Sequence, residues 1–135
     1  MNEHNSDILE HIIRYCYEIK DARDRFGDSI ESLRSDVHYR NSVAMCILQI
    51  GELTGHVTDD FKAEYRDIPW QNIKGMRNFA AHHYGKIDID ILFTTITERI
   101  PELLSYCVEI LEQFTKQSNS DSSAEVSEKI TTPEA

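Results

Sequence analysis

No run of apolar residues in this 135-residue chain approaches the roughly 20 needed to span a bilayer. The N-terminus, "MNEHNSD", is polar and has no signal-peptide core. These two absences predict a cytoplasmic protein with no membrane partner. Paired cysteines are missing as well. Cys16, Cys46 and Cys107 are odd in number and far apart, which is no disulfide framework, and no CxxC pair suggests zinc. Each lies in an apolar helical pattern, so buried reduced thiols are expected. A basic excess is also lacking. With 24 acidic against 14 basic residues the net charge is -10, which argues against non-specific duplex binding. Strand alternation, hairpin turns and internal repeats do not occur, which leaves an all-α chain.

What is present is helical periodicity. The length suits one domain with one core, and 40% hydrophobic with 28% charged residues is an ordinary globular composition. In the first long segment Ile8, Ile12, Cys16, Ile19 and Phe26 recur at helical spacing. Asp7 with Glu10 is the expected N-cap pair and Gly27 the expected stop, followed by a short helix at "SIESLR". Asp36 should cap a second long helix, whose Val43, Ala44, Ile47, Leu48, Ile50 and Leu53 cover more than half its circumference. So broad an apolar surface calls for burial on two sides, by a bundle and by a second copy of the chain. Gly51, inside that helix, is expected at a close crossing.

"DDFKAEYRD" reads as a short helix. Pro69 then suits the start of another, which carries Ile73, Met76 and Ala80 inward and can end at Gly85. Asp88 or Asp90 should open "IDILFTTITERI", and Pro101 either breaks that run or begins the last helix. The expected architecture is an antiparallel bundle of about four to five main helices over residues 1–116. Residues 117–135 are rich in Ser, Thr and acids and predict a disordered tail.

Function-bearing residues concentrate in "KGMRNFAAHHYGKID", residues 74–88. Between Lys62 and Lys86 five bases (Lys62, Arg66, Lys74, Arg77, Lys86) meet two acids (Glu64, Asp67), the one locally positive stretch. Histidine exchanges protons near neutrality, and arginine offers a permanently charged fork that matches phosphate oxygens. Together they suit metal-free cleavage of RNA, in which a base activates the 2'-hydroxyl and a cation stabilises the charged transition state. The geometry resists a simple reading. Arg77 and His82, five apart, point about 140° from each other on an ideal helix. Asn78 shares a face with His82, and Arg77 with Tyr84. One phosphate therefore needs a swung arginine, a loosened helix near Gly85, or a second subunit. The plain alternative is the polar end of an ordinary helix. A metal is not expected, since His82 and adjacent His83 diverge by about 100° and Asp88 and Asp90 complete no ligand spacing. No cofactor is called for.

The segment "IPWQNIKGMRNFAAHHYGKIDIDILFTTITERIPELL" resembles the HepT-like branch of the HEPN superfamily, whose signature is Arg, four to six residues, His, one residue, Tyr. Arg77, His82 and Tyr84 match it at its shortest spacing. The flanks "I.GMRN" and "T.TERIPEL" match too, as does "QIGEL" (Gln49 to Leu53), within a likeness covering roughly residues 36–112. The resemblance implies a HEPN-like homodimer with the motif in a cleft between subunits. It also implies a ribonuclease toxin with Arg77 and His82 catalytic, encoded beside a minimal nucleotidyltransferase antitoxin that adds AMP to Tyr84. Asn78 and Lys74 would support phosphate binding, and His83 fills the variable position. A different class remains open: a non-catalytic dimeric partner that holds a nucleotide for that transferase, using Arg77 and Lys74 on phosphate. The nuclease needs His82; the binding partner does not.

Overall fold

A computed structural model describes the backbone of residues 2–82 and 88–131 and the side chains of residues 2–76 and 88–117. Among the described residues seven α-helices and one π-helical turn account for the order: α1 (Glu3–Phe26), α2 (Ile30–Ser35), α3 (Val37–Thr54), α4 (Asp59–Glu64), α5 (Trp70–His82), α6 (Ile89–Thr94), the π turn Thr95–Arg99, and α7 (Ile100–Thr131). No strand occurs among the described residues. The four long helices, α1, α3, α5 and α7, make the bundle and the short ones connect it, so the all-α expectation holds.

Several local signals act where the sequence places them. Asp36 caps α3 by accepting from the backbone N–H of His38 at 2.8 Å and of Tyr39 at 3.4 Å. Asp88, rather than Asp90, opens α6, accepting from Asp90 N at 2.9 Å and Ile91 N at 3.2 Å. Gly27 stops α1 at φ 109°, where a Cβ would stand 2.5 Å from Ser32 Oγ, so only glycine fits. One expectation changes. Helix α1 starts earlier than Asp7, because Asn2 caps it from Oδ1 to the N–H of Asn5 at 2.9 Å; Asn2 offers the same acceptor geometry one turn upstream. Of its two expected roles Pro101 takes the second: it stands in the first turn of α7, just after Ile100. It follows a wide turn in which Ile100 N bonds to Thr95 O, five residues back. A proline ring in regular α geometry clashes with the carbonyl four residues earlier, and the widened turn relieves that clash. The backbone of α7 is helical to Thr131.

Helix α1 stands between α3 and α7, and α3 between α1 and α5. At one end Asn5, 3% exposed, donates from Nδ2 to Thr58 Oγ1 at 3.0 Å and accepts from Thr58 N at 3.3 Å, joining the start of α1 to the start of α4 just beyond α3. At the other end Phe26 stacks on Tyr39, centroids 5.2 Å apart, so α1 and α3 run antiparallel. Phe26 sits on the predicted stripe yet is 39% exposed, covering Tyr39 from the solvent side. Arg23 grips Asp28 through two 2.9 Å bonds and reaches Ile96 O at 3.3 Å, which ties the end of α1 to the π turn. The core runs through Leu9, Ile12, Cys16, Ile19, Val43, Ile47, Ile50, Ile73, Ile96 and Cys107, all buried. Gly51 is buried inside α3.

All three cysteines are free and buried. Burial pushes the Cys46 and Cys107 thiols up to about 12 and Cys16 higher still, with Cys107 and Cys46 adding to the shift at Cys16. Cys46 also faces Glu18 Oε2 at 3.6 Å, which disfavours its thiolate further. Such thiols are inert helix-packing groups.

Candidate functional site

Helix α5 owes its position to an aromatic anchor at its start. Phe61 of α4 packs on Tyr65, centroids 4.6 Å apart, and meets the Trp70 ring edge-on at 6.0 Å. Trp70 Nε1 donates to Tyr65 O at 3.1 Å, which fixes the ring and with it the first turn of α5. Pro69 precedes that turn and its carbonyl accepts from Ile73 N at 3.1 Å. Ile73, 2% exposed, then locks the helix body against α3. Of the inward positions, Ile73 is buried and Met76 half-buried, while the side chain of Ala80 lies outside the described residues.

The backbone of α5 is helical without interruption from Trp70 to His82, so it carries both Arg77 and His82. The helix is regular between them, and the loosening expected near Gly85 falls outside the described residues. The side chains of Arg77, Asn78 and His82 lie outside the described residues, as do His83, Tyr84 and Gly85 entirely. Lys74 is described and is exposed on α5. Among the described residues no group of three or more His, Cys, Asp or Glu is placed to hold a metal ion.

One turn before Arg77 the helix borders a cleft of about 520 Å³ between α3, α5, α6, the π turn and α7. Its floor is apolar, formed by Ala44 and Ile47 of α3, Ile73 of α5, and Leu92 and Leu103, each at most 3% exposed. The Thr95 hydroxyl in the floor is already committed, donating to Ile91 O at 2.8 Å. The rim is polar: Asp67, Gln71, Asn72, Arg99 and Glu102 line the opening and are exposed. Gly75 lines the same cleft, and a Cβ built there meets nothing within 4 Å. A mid-helix glycine costs about 1 kcal/mol relative to alanine, and packing among the described residues gives no reason for it.

Sequence reasoning assigned no role to this cleft, because its walls come from segments 60 residues apart or close to it. A signal was nevertheless present. The flanks "I.GMRN" and "T.TERIPEL", far apart in the chain, contribute Ile73, Gly75 and Met76 from one side and Thr95, Arg99, Glu102 and Leu103 from the other. Both flanks meet at one opening beside the motif helix.

The family described as ribonuclease HepT-like matches residues 7–121. A protein of Caldanaerobacter subterraneus subsp. tengcongensis, provisionally named an RNase, is 31% identical over 106 residues, 78% of this chain and 92% of its own length. A protein of Thermococcus cleftensis named a probable ribonuclease HepT is 37% identical over 54 residues, 40% of this chain and 49% of its own length. A Methanocaldococcus jannaschii protein, again provisionally named an RNase, is 25% identical over 109 residues, 80% of this chain and 84% of its own. No solved structure matches the chain.

Proposed function

The chain belongs to the HepT-like ribonuclease family, and on that premise we propose that it is a metal-independent endoribonuclease with Arg77 and His82 as its catalytic pair. The observation that carries this reading is the family match over residues 7–121, which takes in the whole of α5 and the Arg77, His82, Tyr84 spacing. In the reaction His82 accepts the proton of an RNA 2'-hydroxyl, and the 2'-oxygen attacks the adjacent phosphorus. The P–O5' bond breaks, the 5'-oxygen takes up a proton from solvent and leaves as a hydroxyl, and a 2',3'-cyclic phosphate remains. Arg77 holds the phosphate oxygens as negative charge builds on them. Lys74 and Asn78 support phosphate binding on the same helix.

A homodimer completes the site. The 140° offset of Arg77 from His82 on a regular helix is resolved if each copy contributes to a shared cleft. The protein acts as the toxin of a two-gene system, in the cytoplasm, where its three free thiols stay reduced. Its antitoxin is a minimal nucleotidyltransferase that transfers AMP to the Tyr84 hydroxyl. The added anion occupies the phosphate site beside Arg77 and silences cleavage. Intact mass after incubation with the transferase and ATP should show one adenylyl group on the wild type and none on Tyr84→Phe.

A non-catalytic nucleotide-holding partner is favoured by one observation, the net charge of -10, which is poor for an RNA binder. Purified protein incubated with RNA in EDTA decides between the two. Products ending in 2',3'-cyclic phosphate and 5'-hydroxyl support the nuclease. Intact RNA, or 5'-phosphate ends, contradicts it.

A further inference from the structure

We propose that the cleft beside α5 receives a nucleobase of the RNA, one whose edge presents hydrogen-bond donors, guanine foremost, and so sets which phosphodiester is cut. The inference rests on the ribonuclease reading and names the feature of the substrate that this chain selects.

The shape fits a planar apolar ring. A volume of about 520 Å³ falls in the ordinary range for small-ligand pockets, and its walls are Ile47, Ile73, Leu92 and Leu103. The floor offers no free polar group, since Thr95 Oγ1 already bonds to Ile91 O. Recognition must therefore come from the rim. There Glu102 and Asp67 supply two carboxylates and Arg99 one guanidinium, and none of the three makes an ion pair or hydrogen bond among the described residues. The carboxylates accept and Arg99 donates, so this rim suits an edge that sets adjacent donors beside an acceptor. Guanine presents adjacent N1–H and N2–H₂ groups, which one carboxylate accepts as a pair. Uracil presents a single N–H between two carbonyls that the same carboxylate repels.

Position links the cleft to the chemistry. Gly75 lies seven residues before His82, on the same face of α5 and about 10 Å along the helix axis, so a base in the cleft leaves its phosphate toward the His82 side of the motif, while Arg77 lies about 160° round the helix from Gly75. Gly75 also gains a physical reason: a side chain at that point would fill the opening.

The test uses Gly75→Leu, since a side chain there meets nothing within 4 Å, no positive φ is involved and helix propensity rises. Calorimetric titration with the four nucleoside 3'-monophosphates should show guanosine binding at least about tenfold tighter than uridine, a discrimination in keeping with one paired hydrogen bond. Gly75→Leu should lose guanosine binding at least about tenfold while melting no lower than wild type, and Glu102→Gln should flatten the preference. On RNAs that vary one base beside the cleavage point, wild type should favour guanine and Gly75→Leu should not. Equal affinity for all four nucleotides, or affinity unchanged in Gly75→Leu, overturns the proposal. So does altered sedimentation of Gly75→Leu, which would make the cleft a contact between copies of the chain. If wild type cleaves no RNA, the ribonuclease reading fails, and the mononucleotide titration still decides whether the cleft reads a base.

Discussion

Tyr39 shows how a single residue can carry an unnecessary atom. It is fully buried and stacked on Phe26, yet its hydroxyl finds no hydrogen-bond partner among the described residues. Burial and nearby Asp28 push its ionisation upward, so the group stays neutral. A desolvated, unpaired hydroxyl costs about 1–3 kcal/mol, whereas removing it keeps the ring and its packing. Tyr39→Phe should therefore unfold at the same or higher denaturant concentration than wild type; a loss above about 1 kcal/mol would show that the hydroxyl is partnered. The thiols make a related prediction. Burial raises all three above their ordinary value, Cys46 and Cys107 to about 12. In the unfolded chain they ionise near 9, so above that pH the unfolded state binds fewer protons than the folded one. Stability contributed by the neutral thiols is complete below pH 9 and falls as pH climbs toward 12. Urea midpoints measured between pH 8 and 11 should decline, and Cys46→Ala with Cys107→Ala should soften that decline. A flat profile would mean that the thiols are not desolvated.

At the scale of elements, the punctuation of the chain was largely legible. Asp36, Gly27 and Asp88 act through their own side chains or backbone freedom, and such effects are local enough to read without the fold. Asp36→Ala removes the acceptor for His38 N and Tyr39 N, so it should lower stability by about 1 kcal/mol with an unchanged urea slope; an unmoved midpoint would show the cap to be idle. The illegible parts share a different cause. Asn2 and Asp7 are both good caps, and what selects Asn2 is distant: Asn5 in the first turn of α1 is clamped by Thr58, 53 residues away. The π turn before Pro101 is likewise a compromise between a local clash and a helix that α1 and α7 hold in line through Arg23 and Ile96.

For the whole molecule, the sequence shows why a bundle forms but not what its surfaces meet. The stripes of α1 and α3 predict a core, and Ile12, Ile19, Val43, Ile47 and Ile50 are in it. The cleft was not readable, because it needs α3, α5 and α7 placed together. Helix α3 still exposes Val37 at 49% and Met45 at 51%, and Ile91 of α6 stands at 51%. Apolar groups so exposed fit the homodimer proposed above, and sedimentation at micromolar concentration should give twice the 15.7 kDa chain mass. A stable monomer would remove the shared cleft and leave a swung arginine or a helix loosened near Gly85 to bring Arg77 and His82 to one phosphate. The most direct measurement of the central claim is RNA cleavage by purified His82→Ala beside wild type, in EDTA, with both proteins equally folded. General acid–base assistance is worth about 10²–10⁴-fold, so the variant should lose at least about a hundredfold in rate. Cleavage by His82→Ala at the wild-type rate would contradict the account.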